Sequence, residues 1–90
     1  MNVHLFQTSR PHLAPGMILD APLDYDDFIL GFGDETEARA ELFFIGGRPL
    51  LVVGGYMTMD GTVVDERMWT VSEVTVSGDR RILRLGHPLE

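Results

Sequence analysis

"ELFFIGGRPLLVV", Glu41 to Val53, sets two short apolar runs on either side of a Gly-Gly pair. Both central positions of a type I′ turn need positive φ, which glycine adopts without steric penalty, so Gly46-Gly47 predicts a hairpin joining "ELFFI" to "RPLLVV". Pro49 has no amide hydrogen, and its strand is therefore expected to begin at an edge or to pair only after the proline. The uncharged run Leu50 to Val53 reads as a central core strand. Gly54-Gly55 behind it permits a bend or bulge where a small barrel must turn.

Downstream the same pattern recurs. Asp60-Gly61 is a second hairpin signal between "GGYMTM" and "TVVDE", and Ser77-Gly78-Asp79 separates "RMWTVSEVTV" from "RRILRL". In the first of these arms Met68, Thr70, Ser72, Val74 and Val76 alternate with Trp69, Val71, Glu73 and Thr75, the period of a half-buried strand. In the second arm, alternation puts Arg80, Ile82 and Arg84 on one face and Arg81, Leu83 and Leu85 on the other. A face with two arginines reads as a solvated edge.

Upstream, Val3 to Gln7 is extended and "SRPHLAPG" breaks it, after which "MILDA" reads as a second short strand. "PLDYDDFILGFG" has Pro22 and aspartates early and Gly31 and Gly33 late, an arrangement that predicts one short helix. "DETEARAELFFI" carries both a capping-box pair, Asp34 and Glu37, and a period-two alternation, and its second half is assigned to strand. Short strands separated by turn signals every 8 to 12 residues point to a mainly β fold: a small antiparallel, SH3-like, partly open barrel with at most one or two short helices.

Ninety residues support a single domain, residues 1–90, because a chain of this length builds only one small core. Hydrophobic residues make up 44 % and charged residues 23 %, outside the regime of disordered chains. With no cysteine, neither disulfides nor thiolate metal sites hold the domain together. The longest uncharged apolar stretches fall short of a membrane span, which leads to the expectation of a cytoplasmic protein without a membrane partner.

The charge is unevenly placed. Between Asp20 and Glu41 stand eight acids (Asp20, Asp24, Asp26, Asp27, Asp34, Glu35, Glu37 and Glu41) against Arg39 alone, while the rest of the chain carries six acids and six arginines. All of the net charge of −7 therefore comes from an acidic insertion or loop region at about residues 20–41. Clustered negative potential attracts basic surfaces and repels polyphosphate, so direct nucleic-acid binding is disfavoured. His4, His12 and His87 lack metal-ligand spacing, and Asp24, Asp26 and Asp27 lack the glycine and distal glutamate of a calcium loop. No metal or other cofactor is expected. Tyr56 and Trp69, with Met57, Met59 and Met68 around the Asp60-Gly61 turn, belong to the residue types that enrich binding surfaces, although they also fill small cores.

"LAPGMILDAPL", "GGRPLLVVGG" and "TVSEVTV", spread between Leu13 and Leu85, resemble the PemK/MazF group of small barrels. The resemblance implies an SH3-like barrel and an endoribonuclease in which Arg48 and Thr75 act on the scissile phosphate, with Thr70 and Ser72 as less well aligned hydroxyls. The acidic stretch between Ala21 and Gly46 is longer than that group's loop, and its charge opposes RNA. A shorter stretch, "LFQTSRPHLAPGMIL", is similar to the opening strand of some ADP-ribosyltransferases. The residues themselves favour a non-enzymatic interaction module whose acidic segment docks on a basic, nucleic-acid-binding protein, an inhibitor or decoy of the kind phages and mobile elements encode. Its contact residues would be the acids Asp20, Asp24, Asp26, Asp27, Asp34, Glu35 and Glu37, with Tyr25, Phe28, Tyr56 or Trp69 as apolar anchors. A homodimer is compatible with the same reading.

Overall fold

A computed structural model describes residues 2–4, 13–32 and 36–89. Nine strands account for most of them: β1 (Asn2–His4), β2 (Ile18–Pro22), β3 (Asp27–Gly31), β4 (Glu37–Ile45), β5 (Arg48–Val53), β6 (Tyr56–Met57), β7 (Val63–Val64), β8 (Arg67–Ser77) and β9 (Arg80–Leu89). Seven form one sheet in the order β1-β3-β4-β5-β8-β9-β2, and β6 and β7 form a separate two-stranded flap. All pairs are antiparallel except β1 with β3. The sheet curls until β1 lies alongside β2, giving a small, nearly closed barrel with no helix among the described residues.

The glycine hairpin forms as its sequence dictates. Gly46 and Gly47 have φ of 58° and 80°, and Ile45 faces Arg48 across the turn. The β8–β9 hairpin closes in the same way at Gly78-Asp79, with Ser77 opposite Arg80. At Asp60-Gly61 the connection is longer, since the β6–β7 ladder runs from Tyr56–Val64 to Met57–Val63 and the five residues after Met57 form the loop.

The predicted helix is absent. Pro22 ends β2, residues 23–26 form a loop, and Asp27–Gly31 is a strand whose Phe28 and Leu30 point inward. Phe28, Leu30 and Phe32 recur at every second position, and burial of that face outweighs the proline and aspartate signals. The small Ala40 and Ala38 stand opposite Phe28 and Leu30 on β4, so bulky and small side chains interdigitate. The acidic stretch 20–41 is therefore not an insertion or loop added to a barrel. It supplies the end of β2, all of β3 and half of β4.

Leu19, Leu30, Leu42, Leu51, Leu83 and Leu85, from five strands, are the largest fully enclosed side chains. Only part of the Leu50–Val53 run joins them. Leu51 and Val53 face inward, while Leu50 and Val52 lie half-buried on the outer surface.

The alternation expected along β8 also breaks. Trp69 and Val71 are inward, but the next residue packed on the core is Val74, because the β8–β9 register shifts between Val71 and Glu73 and shifts back between Trp69 and Val71. One extra residue in each strand makes a pair of compensating bulges. The Thr70 hydroxyl staples this site: it accepts from the His87 amide at 2.9 Å and donates to the His87 carbonyl at 3.3 Å. A Cβ on Gly86 would overlap the same hydroxyl.

Candidate functional site

The acidic loop between β2 and β3 is built from below by an arginine. Arg81 lies on the same face of β9 as Leu83 and Leu85 and is 8 % exposed. Its guanidinium donates to the carbonyls of Pro22 (3.2 Å) and Tyr25 (2.6 Å) and to the Asp26 carboxylate (3.1 Å). A planar fork with five fixed donors suits a cluster of carbonyls and one carboxylate. Two more bonds fasten the loop, from the Leu23 amide to the Asp79 carbonyl (3.0 Å) and from the Leu42 amide to the Asp26 carbonyl (2.6 Å). With its backbone held, the loop turns Leu23, Asp24 and Tyr25 outward, and Tyr25 is 52 % exposed.

Beside the loop, Asp27 stands directly opposite Glu41 in the β3–β4 ladder. Like charges in that position repel. Neither carboxylate takes part in an ion pair among the described residues. The excess negative potential thus gathers at Asp24, Asp27 and Glu41.

The remaining acids are divided. Asp20 turns to Arg80 at 2.9 Å, and its charge is neutralised along the barrel wall. Glu37 is exposed at the far end of β4, opposite Gly31. Asp34 and Glu35 lie outside the described residues. Among the described residues, no three His, Asp or Glu side chains converge on a point where a cation could sit.

Two of the expected anchors belong to the interior. Phe28 (4 % exposed) and Trp69 (6 %) pack in the core, where apolar burial outweighs any gain from display at the surface. Tyr56 is part-buried, stacks on Phe32 with ring centroids 5.1 Å apart, and has its phenol pushed above its ordinary pKa by burial. It helps line a hollow of about 330 Å³ beneath the β6–β7 flap, on a different part of the barrel from the acidic loop. Tyr25 is left as the exposed aromatic of the acidic end.

The flap has its own organising carboxylate. Asp60 accepts from the Thr58 hydroxyl and, at 3.1 Å, from the Thr62 amide, and these bonds lower its pKa to about 2. A depressed carboxyl pKa means that the loop's contribution is complete above the unfolded value of ~3.9 and disappears as pH falls through the folded one. The amide resonances of Thr58 and Thr62 should therefore titrate together with a midpoint at about 2, and Asp60→Asn should abolish that titration. A midpoint at the ordinary carboxyl value would show that the loop is not held this way.

The positions singled out by the PemK/MazF resemblance do not come together. The β5–β8 register pairs Leu50 with Thr70, and extending it by two residues sets Arg48 level with Ser72. Thr75 lies three residues further along β8, roughly 10 Å away. The hydroxyls nearer to Arg48 are engaged, Ser72 with the Arg84 carbonyl at 3.2 Å and Thr70 with His87. "LFQTSRPHLAPGMIL" falls largely outside the described residues. Comparison of the chain with family models, curated proteins and solved structures finds no match.

Sequence reading did not single out Arg81 as part of the site. The usable signal was its phase: it alternates with Leu83 and Leu85, so it had to point inward and find partners there.

Proposed function

We propose that this chain is a non-enzymatic interaction module that offers the loop Leu23–Asp26, with Asp27 and Glu41 beside it, to a basic surface on another protein. The observation that carries the reading is the Arg81 clamp, which fixes the backbone of a loop whose apolar and acidic side chains point away from the barrel. Presenting a rigid loop limits the ordering penalty on binding. Tyr25 supplies the amphipathic anchor favoured at interface centres, and the surrounding carboxylates steer the encounter. Protein surfaces basic enough to select such a patch are commonly those that bind nucleic acid, and occupying one would make the chain an inhibitor or decoy.

Co-purification from the native host, followed by kinetics with the captured protein, tests this reading. Replacing Asp24 and Asp27 by Asn and Glu41 by Gln together, which leaves the Arg81–Asp26 pair intact, is expected to lower the association rate about tenfold at low salt and to flatten its salt dependence. Tyr25→Ala should act on the other limb, raising the dissociation rate by about tenfold or more. Association that is indifferent to the triple substitution would rule out the acidic loop as the docking element.

A further inference from the structure

The outer face of β4, β5 and β8 is apolar where a solvated barrel wall would be polar. Phe43, Ile45, Leu50, Val52, Met68 and Leu89 point outward there, with Ile45 at 59 % and Phe43 at 39 % exposure. The register arranges them in rows. Glu41 faces Val52, Phe43 faces Leu50, and Ile45 faces Arg48. Val52 continues to Met68 and Leu89, and Leu50 continues to Thr70. The Phe43–Leu50 row therefore lies midway between an acidic end, Glu41 with Asp27 beyond it, and a basic end at Arg48.

We infer that this face binds a second copy of the same chain. A two-fold axis lying between two such faces, along the Phe43–Leu50 row, reverses strand direction and brings the acidic end of each copy over the basic end of the other. Glu41 of one protomer is then offset sideways from Arg48 of its partner by one strand spacing, ~4.8 Å, across the ~10 Å between packed sheets, a gap that the two long side chains span. The alternative two-fold axis, parallel to the strands, stacks Glu41 and Asp27 on their own counterparts and is opposed by their charge. Arg48 forms no ion pair among the described residues of its own chain and is free to complete the contact. Next to it a hollow of about 460 Å³, walled by Ile45, Pro49, Leu50 and Leu89, gives the partner's aromatic side chain a place to seat.

Size sets the strength. Five strands at ~4.8 Å and about five residues each at ~3.3 Å make a face of roughly 19 by 16 Å. Two such faces cover about 600 Å² in projection, below the standard size of a stable interface, which makes the dimer weak and transient rather than obligate. The inference shares Glu41 and Asp27 with the proposed docking surface but makes no use of the loop Leu23–Asp26 or of another partner.

Sedimentation velocity of the purified chain over a concentration series up to about 500 µM is the test. A monomer–dimer equilibrium is expected, weakened about tenfold by either Arg48→Glu or Glu41→Arg and restored when both are present in one chain. Both positions of this charge-swap cycle are exposed, so folding is preserved. A chain that stays monomeric throughout overturns the inference. So does a dimer that ignores the single substitutions, or one that the double substitution fails to restore. Loss of loop-dependent partner binding with the dimer intact would bear on the proposed function alone.

Discussion

Replacing Arg81 by Ala should lower the unfolding free energy by about 2 to 3 kcal/mol, because a buried guanidinium that satisfies two carbonyls and a carboxylate is removed and the buried Pro22 carbonyl loses this donor. The clamp is the loop's side-chain anchor, beside the two backbone bonds from Leu23 and Leu42. Loss of the Arg81 fork should also free the loop, which amide exchange at Leu23 and Leu42 would report as faster opening. Arg81→Lys should recover only part of the stability, since one ammonium cannot reproduce the fork that reaches Pro22, Tyr25 and Asp26 together. The neighbouring Arg80 is the control. Its pair with Asp20 is partly solvated, and Arg80→Ala is expected to change stability by less than about 1 kcal/mol. Equal losses from the two alanine substitutions in urea denaturation would mean that Arg81 does not organise this end of the barrel.

The second large effect separates adjacent residues of β5. Leu51 is fully enclosed, and Leu51→Ala should cost about 3 to 5 kcal/mol through lost transfer energy and the cavity left behind. Leu50→Ala, one position away on the outer face, should cost the monomer less than about 1 kcal/mol. Its main consequence should appear in self-association. Chemical denaturation of dilute protein resolves the two, and similar losses at both positions would contradict the division of β5 between an inner and an outer surface.

That division marks the limit of what could be read in the chain. Gly46-Gly47, Asp60-Gly61 and Ser77-Gly78-Asp79 named three of the four antiparallel connections between successive strands, because positive φ is a local demand that few residues meet. Alternation named the strands where one face is polar, as in Ala38, Ala40 and Leu42 against Glu37, Arg39 and Glu41. It fell short where both faces are apolar. Leu50 to Val53 looks like core throughout, and no local pattern tells which half faces out. The segment Pro22 to Gly33 was misread as helix because its turn residues sit at plausible helix ends, while the alternation of Phe28, Leu30 and Phe32 is shorter and easier to overlook. In the site, the acids were plain from counting. Their division into neutralised and free was not, because the arginines that neutralise Asp20 and Asp26 stand some 55 to 60 residues away and only the pairing of β9 with β2 brings them near. Phe28 and Trp69 were proposed as anchors on side-chain type alone, and type does not separate core from surface.

The bulges stapled by Thr70 act far from where they sit. On one side of them β8 is tied to β5, on the other β9 takes up β2, so the hairpin bends there and swings β2 round toward β1. That bend works as a lever, and the seam between the first two strands is its far end. A side chain at Gly86 would displace the Thr70 hydroxyl and undo that bend, and the disturbance would pass through β2 to the seam one strand beyond, which makes a glycine with no side chain of its own the keeper of the barrel's closure.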